Sequence, residues 1–240
     1  MTSQEPAMQW VADIDARLDY AAWPWADERR SAIEDHWAKL TATNPALYNG
    51  QVLVARERRL VGDRLKVRYL ASDYAAFLML RDQGFPDPGT GNCFAMAALR
   101  SSDGAYLLGV MAAHTANAGR IYFPAGTPEL ADVLPDGRVD LLGNVLRELE
   151  EETGLSREDV QVGHGWTVVI EGGRTALMRE IGTDMPAEML RKRVLGFLAS
   201  EAMPEFSDVR LVREPADLDE NAIPPFVQRY LRAMLPQASS

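Results

Sequence analysis

The stretch that decides how this chain is interpreted is the acidic segment RELEEETGL at residues 147–155. Four of its nine residues are glutamates, and a Gly-Leu pair closes it. In a helix, residues three and four positions apart share a face, so Glu148, Glu151 and Glu152 point together while Glu150 points elsewhere. A glycine at this place is typical of a helix that ends in a left-handed residue. We therefore predict the last turns of a helix with one carboxylate-rich face.

Clustered carboxylates on a rigid helix suit a hard cation. Mg²⁺ prefers oxygen ligands and commonly keeps some water, so it can also contact a substrate phosphate. An acidic run on a helix is more often a solvated face, and composition alone does not separate the two interpretations. Glu148, Glu151 and Glu152 are the candidate metal ligands, and the predicted cofactor is Mg²⁺ or Mn²⁺.

The same residues carry a family resemblance. The order Arg-Glu-apolar-x-Glu-Glu-x-Gly-apolar resembles the second half of the Nudix box, and residues 147–155 match every specified position. The first half is interrupted, because Val133 and Val139 stand where the box has its glycine and its first glutamate. Residues 121–129, IYFPAGTPE, are similar to the strand and turn that open the box. Residues 130–139 are then predicted to be an enlarged loop.

The Nudix resemblance implies an α/β/α sandwich with a mixed sheet and metal-assisted attack of water on a diphosphate bond. Carried over by position, Glu148 and Glu152 would be the main metal ligands, and Glu151 a further ligand or a water-orienting group. Arg147 would pair with a carboxylate and hold the cluster in shape. A backbone carbonyl of the turn at 125–126 would lie beside the metal.

A general base outside the box is expected from a later glutamate. Glu201 and Glu205 flank a Met-Pro pair after a predicted helix. They are favoured because the end of a helix followed by a loop could bring a carboxylate to the metal. Glu171 and Glu180 remain open as alternatives.

Substrate choice depends on looser similarities. Residues 47–50 and 72–74, together with the interrupted box, are similar to the Nudix branch that hydrolyses UDP-glucose and UDP-galactose, which would yield UMP and a sugar 1-phosphate. The segment from His114 to Asp132 resembles the upstream motif of coenzyme A diphosphatases, so coenzyme A is one alternative. ADP-ribose or a dinucleotide is a third possibility. His114 and Gly126 are the candidate substrate contacts. An alternative of another class is a catalytically silent Nudix domain that binds a nucleotide or a protein partner.

Composition and charge narrow the partners. The chain has 240 residues, a formal net charge of -10 and a pI near 4.9, which disfavours nonspecific binding to nucleic acid or to an anionic membrane. Cys93 is the only cysteine, which favours a reducing cytoplasm and a buried structural thiol. Residues 1–10 do not resemble a signal peptide, and no apolar run is long enough to span a bilayer. The expected partner is a small nucleoside diphosphate derivative, and a homodimer through the aromatic N-terminal segment is a hypothesis.

Hydrophobic periodicity predicts an α+β extension over residues 1–90, and the resemblance implies a Nudix domain over residues 91–240. Asp140 is predicted to cap the helix that begins near Leu141. Helices are predicted at 10–20, 26–40, 74–81, 141–153, 186–202 and 225–235. Strands are predicted at 51–56, 64–70, 93–99, 105–111, 121–123, 160–171, 175–181 and 208–212.

Overall fold

The computed structural model describes residues 7–236. The predicted absence of a signal peptide falls in part on residues 1–6, which lie outside the described residues. The strands are β1 (Ala7–Val11), β2 (Asp13–Leu18), β3 (Gln51–Val61), β4 (Arg64–Asp73), β5 (Asn92–Arg100), β6 (Tyr106–Met111), β7 (Ile121–Tyr122), β8 (Ala125–Gly126), β9 (Gln161–Val162), β10 (Trp166–Glu171), β11 (Arg174–Gly182) and β12 (Phe206–Val212). The helices are α1 (Pro24–Glu28), α2 (Arg30–Thr43), α3 (Tyr74–Asp82), α4 (Leu141–Thr153), α5 (Ala187–Leu198) and α6 (Pro225–Met234).

The larger sheet is mixed and has the strand order β1-β10-β11-β5-β6-β12. Strand β11 runs parallel to β5, whereas its other neighbour, β10, is antiparallel to it. Strands β5 and β6 pair only where Arg100 meets Tyr106, and they diverge beyond that point. The short strands β7 and β8 pair with β6 and β5 respectively. The Phe-Pro turn that joins β7 to β8 therefore lies in the gap between β5 and β6.

Helices cover both faces of the larger sheet. On one face, Val145 and Leu149 of α4 and Leu190 of α5 belong to a buried cluster that includes residues of β5 and β11. On the other face, Phe226 and Tyr230 of α6 pack into a second buried cluster. Each cluster removes apolar surface from water, which is the main favourable contribution to folding. The predicted α/β class, with a mixed sheet between two layers of helices, is confirmed.

The smaller sheet has the order β2-β4-β3, with β2 parallel and β3 antiparallel to the central strand. Leu53 and Tyr69 on one of its faces join the buried cluster that contains α4 and α5. Val54 and Leu70 on the other face pack against α1, α2 and α3. Strand β1 belongs to the larger sheet, where it pairs with β10. The division of the chain near residue 90 stays a prediction.

The helix predicted at residues 10–20 is wrong. This segment forms the end of β1 and the whole of β2, which pair with β10 and β4. Trp10, Ile14 and Leu18 are spaced by four, which mimics one face of a helix, but every second residue from Ile14 to Leu18 also shares one face of a strand. The partner strands decide between the two periods because they satisfy the backbone hydrogen bonds.

Three smaller differences concern the boundaries of elements. The helix predicted at 26–40 is divided into α1 and α2 at Arg29. The strand predicted at 160–171 is interrupted between β9 and β10, where Gly165 has a φ of +63°. Helix α5 ends at Leu198 rather than near 202. The remaining predicted elements are present, and Cys93 is fully buried as predicted, with burial raising the pKa of its thiol to about 11.

Helix α4 begins and ends where the sequence predicts. Asp140 Oδ1 accepts a hydrogen bond of 2.9 Å from the Gly143 amide, which satisfies one of the free donors of the first turn. At the other end, Gly154 has a φ of +68°, and Leu155 returns to the core with no exposed surface. None of the helices within residues 7–236 has the length and apolar character of a membrane span.

We expect Asp140→Ala to lower the free energy of unfolding by about 1 kcal/mol, because the mutant loses the side-chain acceptor that caps α4. Asp140→Asn keeps a capping oxygen and should retain most of the stability. Urea unfolding of both variants and the wild type measures the difference. An equal loss in the two variants would mean that the cap does not set the stability of α4.

Candidate functional site

Two of the three predicted carboxylates come together on the buried side of α4. Glu152 is 3% exposed, and the side chain of Glu148 is 16% exposed. Glu151 lies on the outer side with a side chain that is 59% exposed, and Glu150 is exposed as predicted. The helix therefore presents a pair of buried carboxylates, with Glu151 at the edge.

The turn around β8 holds this pair from the opposite side. The Ala125 amide donates a hydrogen bond of 3.0 Å to Glu152 Oε2. A Cβ on Gly126 would lie 2.2 Å from the carboxyl carbon of Glu148, so a residue with a side chain would displace this carboxylate. The contact that the structure shows here is a backbone N–H to a carboxylate, whereas the sequence predicted a carbonyl beside a metal.

Arg147 binds three carboxylates at once. Its Nη1 lies 2.8 Å from Glu148 Oε1 and 3.3 Å from Glu151 Oε2. Its Nη2 lies 3.2 Å from Asp132 Oδ1. The structure thus contains the ion pair that was expected of Arg147. It adds Asp132 as a partner that the sequence did not identify.

Asp132 is only 7% exposed and ends a 3-10 turn in the enlarged loop. Its carboxylate accepts hydrogen bonds from Asn144 Nδ2 at 3.0 Å and from the Glu129 amide at 2.9 Å, besides those from Arg147. Counting along the box missed it, because it stands 15 residues before Arg147 and the box places its first glutamate eight before. The available signal was the Glu-x-x-Asp pattern of a capping box at 129–132.

Electrostatic repulsion and burial act together on the buried pair. Burial raises the pKa of the Glu148 carboxyl to about 7, although the charge of Arg147 works in the opposite direction. Burial also raises the pKa of Glu152 well above its ordinary value, and the charges of Glu205 and Glu148 raise it further. Both carboxylates are therefore expensive to ionise unless a cation stands beside them.

Glu205 is the candidate base that the fold brings to the pair. It precedes β12, and its backbone carbonyl accepts a hydrogen bond of 2.8 Å from the Ala112 amide. The charge of Glu205 raises the pKa of the Glu152 carboxyl, and Glu205 itself is exposed. Glu201 is exposed in the turn after α5. Glu180 is also exposed, with its Oε1 3.9 Å from Arg100 Nη1.

A cleft of about 280 Å³ opens beside the carboxylate pair. Helix α3, strands β5 and β8 and the start of α6 supply its walls, and Ala125 and Gly126 line it as well as supporting the pair. Its remaining lining consists mainly of aromatic rings and arginines, namely Tyr74, Phe77, Phe94, Tyr122 and Phe226 with Arg81, Arg120 and Arg174, together with Asn92, Met96, Asn117, Thr127, Glu171, Pro224 and Pro225.

The two predicted substrate contacts have different positions. Gly126 lies in the cleft wall. His114 is not among the residues that line the cleft. Its backbone carbonyl accepts a hydrogen bond of 2.7 Å from Asn44 Nδ2. In the loop that follows, Asn117 and Arg120 face the cleft. The sequence analysis did not identify Arg120, Arg81 or Arg174, because they are far apart along the chain.

The arrangement does not form a complete metal cage. Among residues 7–236, no three His, Cys, Asp or Glu side chains surround a point that could hold a metal ion. Glu148 is turned towards Arg147, and Glu151 towards the same guanidinium. The described residues offer a cation the carboxylate oxygens of Glu148 and Glu152. The charge of Glu205 also acts on Glu152.

No protein-family model and no curated protein matches the chain. Solved structures that resemble it include a Nudix hydrolase from M. smegmatis, RenU, with 17% identity, a TM-score of 0.37 and coverage of 62% of this chain and 89% of the other. The MutT protein from Methanosarcina mazei Go1 has 17% identity, a TM-score of 0.38 and coverage of 59% and 91%. A C. elegans Ap4A hydrolase in a binary complex has 14% identity, a TM-score of 0.37 and coverage of 57% and 93%. At such low identities and scores, these likenesses assign neither a family nor an activity to the chain.

Proposed function

We propose that this protein hydrolyses the diphosphate bond of a nucleoside diphosphate joined to another group, with Mg²⁺ or Mn²⁺ as cofactor. The observation that carries the proposal is the shared wall at Ala125 and Gly126. On one side these residues support Glu152 and Glu148, and on the other they line the cleft. A pair of cation ligands therefore adjoins a cleft whose arginines and aromatic rings suit a nucleotide anion. The Nudix resemblance of residues 147–155 agrees with this function.

The chemistry of the pair fits a hard cation. Both groups offer carboxylate oxygens, and burial makes their charged forms costly without a positive neighbour. Mg²⁺ is usually held by one or two carboxylates, with water and substrate phosphates completing its shell. Glu148 and Glu152 would thus be the protein ligands. Glu151, which is exposed, would serve as a water-orienting group at the edge of the site.

Each neighbouring residue would have a defined task. A bound cation would neutralise phosphate charge and make a water molecule more acidic. Glu205 would accept the proton of the attacking water, since it is the glutamate after the box whose charge raises the pKa of Glu152. Arg147, fixed by Asp132, would keep the Glu148 carboxylate in place as a positioning residue.

A UDP-sugar is the first substrate to test. The segment at 47–50, which carries the resemblance to the UDP-sugar branch, supports the cleft through α3. The Asn49 side chain accepts a hydrogen bond of 2.8 Å from the Ala75 amide, and the Gly50 carbonyl accepts one of 2.9 Å from the Tyr74 amide. The expected products are UMP and a sugar 1-phosphate. Coenzyme A, ADP-ribose and dinucleotides form the comparison set.

The alternative of another class is a silent domain that binds a nucleotide or a partner without turnover. Two observations favour it: Arg147 pairs with Glu148, and the described residues contain no group of three carboxylates that could hold a metal ion. Mg²⁺-dependent thermal stabilisation without any product would support this alternative. Cytoplasmic location and a homodimer also stay proposals, and light scattering that gives a monomer mass would remove the dimer.

We expect Glu152→Gln to reduce kcat/KM for the best substrate more than about 100-fold, since a direct cation ligand should matter at least as much as the supporting groups around a metal site. Glu150→Gln is the matched control, because Glu150 lies on the same helix and faces solvent. Products formed with Mg²⁺ from the substrate panel are identified by mass spectrometry. Equal turnover by the two variants would contradict the assignment of Glu152, and no turnover by the wild type would contradict the hydrolase.

Glu205→Gln should lower kcat by about 100-fold or more, because a general base typically contributes a factor of 10²–10⁴. Glu201→Gln is the control, because Glu201 is the other candidate and its charge is not among those that raise the pKa of Glu152. The decisive measurement is the pH profile of kcat, whose acidic limb should be lost in Glu205→Gln alone. A profile unchanged in shape would remove Glu205 from the role of base.

The cation-free protein should become less stable as the pH rises from 5 to 8. The folded-state pKa of Glu148 is about 7, against an ordinary value of 4.5, so the folded protein binds more protons than the unfolded chain in this interval. Its stabilising contribution is complete below about pH 4.5 and is lost as the pH passes through about 7. The lowered pKa values of Asp103 and Asp159, about 2, affect stability only at more acidic pH.

Mg²⁺ should reverse this trend, since it requires deprotonated carboxylates. Melting temperatures measured in EDTA and in MgCl₂ at pH 5 and at pH 8 should show the larger Mg²⁺ effect at pH 8. Glu152→Gln should lose most of that effect. A Mg²⁺ shift of equal size in the variant would mean that the ion binds elsewhere.

A further inference from the structure

The cleft contains a second charged group that the hydrolytic step does not use. Arg81 of α3, Arg120 just before β7 and Arg174 at the start of β11 contribute three guanidinium groups to its lining. They come from three distant parts of the chain. In a protein whose net charge is -10, three arginines gathered in one cleft require an explanation.

The neighbours of these arginines compensate only part of their charge. Arg81 pairs with Asp82 at 2.8 Å, and Arg120 donates to the neutral Asn221 carbonyl at 3.0 Å. The Arg174 guanidinium lies over the ring of Phe85, 5.4 Å from its centroid, and no ion pair involves it within residues 7–236. Among the charges that act on Arg174, the carboxylates of Glu171 and Asp82 are offset by the guanidinium groups of Arg81 and Arg120, so the charge of Arg174 itself has no net compensation.

The neighbouring charges also act on the pKa of the Arg174 guanidinium. Burial lowers the pKa of its guanidinium, the charge of Glu171 opposes that effect, and the charges of Arg81 and Arg120 act in the same direction as burial. Arg174 is thus close enough to Arg81 and to Arg120 to be repelled by both. An anion bound among them would relieve both the repulsion and the loss of water.

The chain holds this end of the cleft rigidly. Arg58 donates hydrogen bonds to the Gly173 carbonyl at 3.0 Å, to Thr175 Oγ1 at 3.2 Å and to the Thr90 carbonyl at 3.3 Å, which ties the turn before Arg174 to the loop after α3. In that loop, Phe85 has a φ of +60°, which makes it the one non-glycine residue with positive φ in the described part of the chain. Strain of this kind is retained where the surroundings enforce it, commonly at binding sites.

Strand β5 provides a measure of distance between the two ends. Ala125 pairs with Met96, and Arg174 pairs with Asn92. Four residues of a strand span about 13 Å, so the backbone at Arg174 and the backbone at Ala125 are far enough apart for a ring to lie between them. Phe94 lies on the strand between the two positions and meets Phe226 edge to face at 5.7 Å.

Asn92 adds an independent sign of an absent partner. Its Oδ1 is buried and has no hydrogen-bond partner among the described residues, although Asn92 lines the cleft beside Arg174 in strand register. A buried acceptor of this kind costs free energy unless a donor reaches it. A hydroxyl or amino group of a bound ring could supply that donor.

We propose that Arg174, together with Arg81 and Arg120, binds a second anionic group of the substrate, a phosphomonoester or a carboxylate, separated from the scissile diphosphate by a ring that packs in the aromatic middle of the cleft. This inference rests on the proposed function only for the position of the diphosphate at Glu148 and Glu152. Helix α3, from the N-terminal part of the chain, would thereby help to select the substrate.

The experiment compares probe pairs that differ by one anionic group. Equilibrium binding is measured for AMP against adenosine 3′,5′-bisphosphate, and kcat/KM for UDP-glucose against UDP-glucuronate and for dephospho-coenzyme A against coenzyme A. The variants are Arg174→Gln and, as the control, Arg64→Gln. Arg64 pairs with Asp13 at the far end of β4, nine residues or about 30 Å from the end of the strand that precedes α3.

We expect the wild type and Arg64→Gln to favour the anionic member of at least one pair. Arg174→Gln should weaken that member by about 10-fold to 100-fold, the size of a lost hydrogen bond to a charged group, and change the neutral member within about threefold. The phosphate and uronate pairs distinguish the two kinds of anion.

Two results would overturn the inference. One is a wild type that does not prefer the anionic member of any pair. The other is an equal loss for both members in Arg174→Gln, which would mean that the arginines bind the diphosphate itself. The binding comparison requires no turnover, so a protein that hydrolyses nothing but still prefers the bisphosphate through Arg174 would refute the proposed function and leave this inference standing.

Discussion

The arrangement of this protein depends on how two buried carboxylates are kept close together. Glu148 and Glu152 share one side of α4, and ionising both in a buried place costs several kcal/mol unless opposite charge or hydrogen bonds offset it. The structure supplies Arg147 to one carboxylate and the Ala125 amide to the other. Arg147 is held in turn by Asp132 of the enlarged loop. The loop before α4 therefore anchors the cluster through the ion pair of Asp132 with Arg147.

The N-terminal part of the chain is connected to this site through the cleft. Helix α3 contributes Tyr74, Phe77 and Arg81 to the lining, opposite residues from the larger sheet. The segment at 47–50 caps the start of α3, and Asp73 Oδ1 accepts a further bond of 2.8 Å from the Ala76 amide. Carboxylates from one part of the chain and a wall from another thus build one cavity, and substrate recognition depends on both.

The parts of this structure that local chemistry determines could be predicted from the sequence. Helix α4 is one such part, because Asp140, its apolar face and Gly154 specify its start, orientation and end. The segment from Trp10 to Leu18 was mispredicted, because spacing by four is compatible with a helix and with a strand, and only the partner strands resolve the ambiguity.

In the candidate site, too, only the features determined by local chemistry could be predicted from the sequence. Glu148 and Glu152 follow from helical spacing, whereas Glu151 shares their face in a helical projection but is drawn outward to Arg147. Asp132 was not predicted because it stands 15 residues before Arg147, outside the spacing that was searched. The three arginines of the cleft were not predictable at all, because each is an ordinary surface-type residue until the fold brings them together.

The short strands β7 and β8 have a consequence for motion. Residues 121–126 are hydrogen-bonded to β6 at one end and to β5 at the other, so this turn is part of the sheet on both sides. Its amides should exchange with solvent slowly, at rates set by opening of the sheet, rather than at the rates of a surface loop. On the opposite wall, Arg58 ties the loop after α3 to the turn before Arg174 through the Thr90 and Gly173 carbonyls. Both walls of the cleft are therefore fixed by hydrogen bonds within the chain, and a ligand meets a site that is already formed.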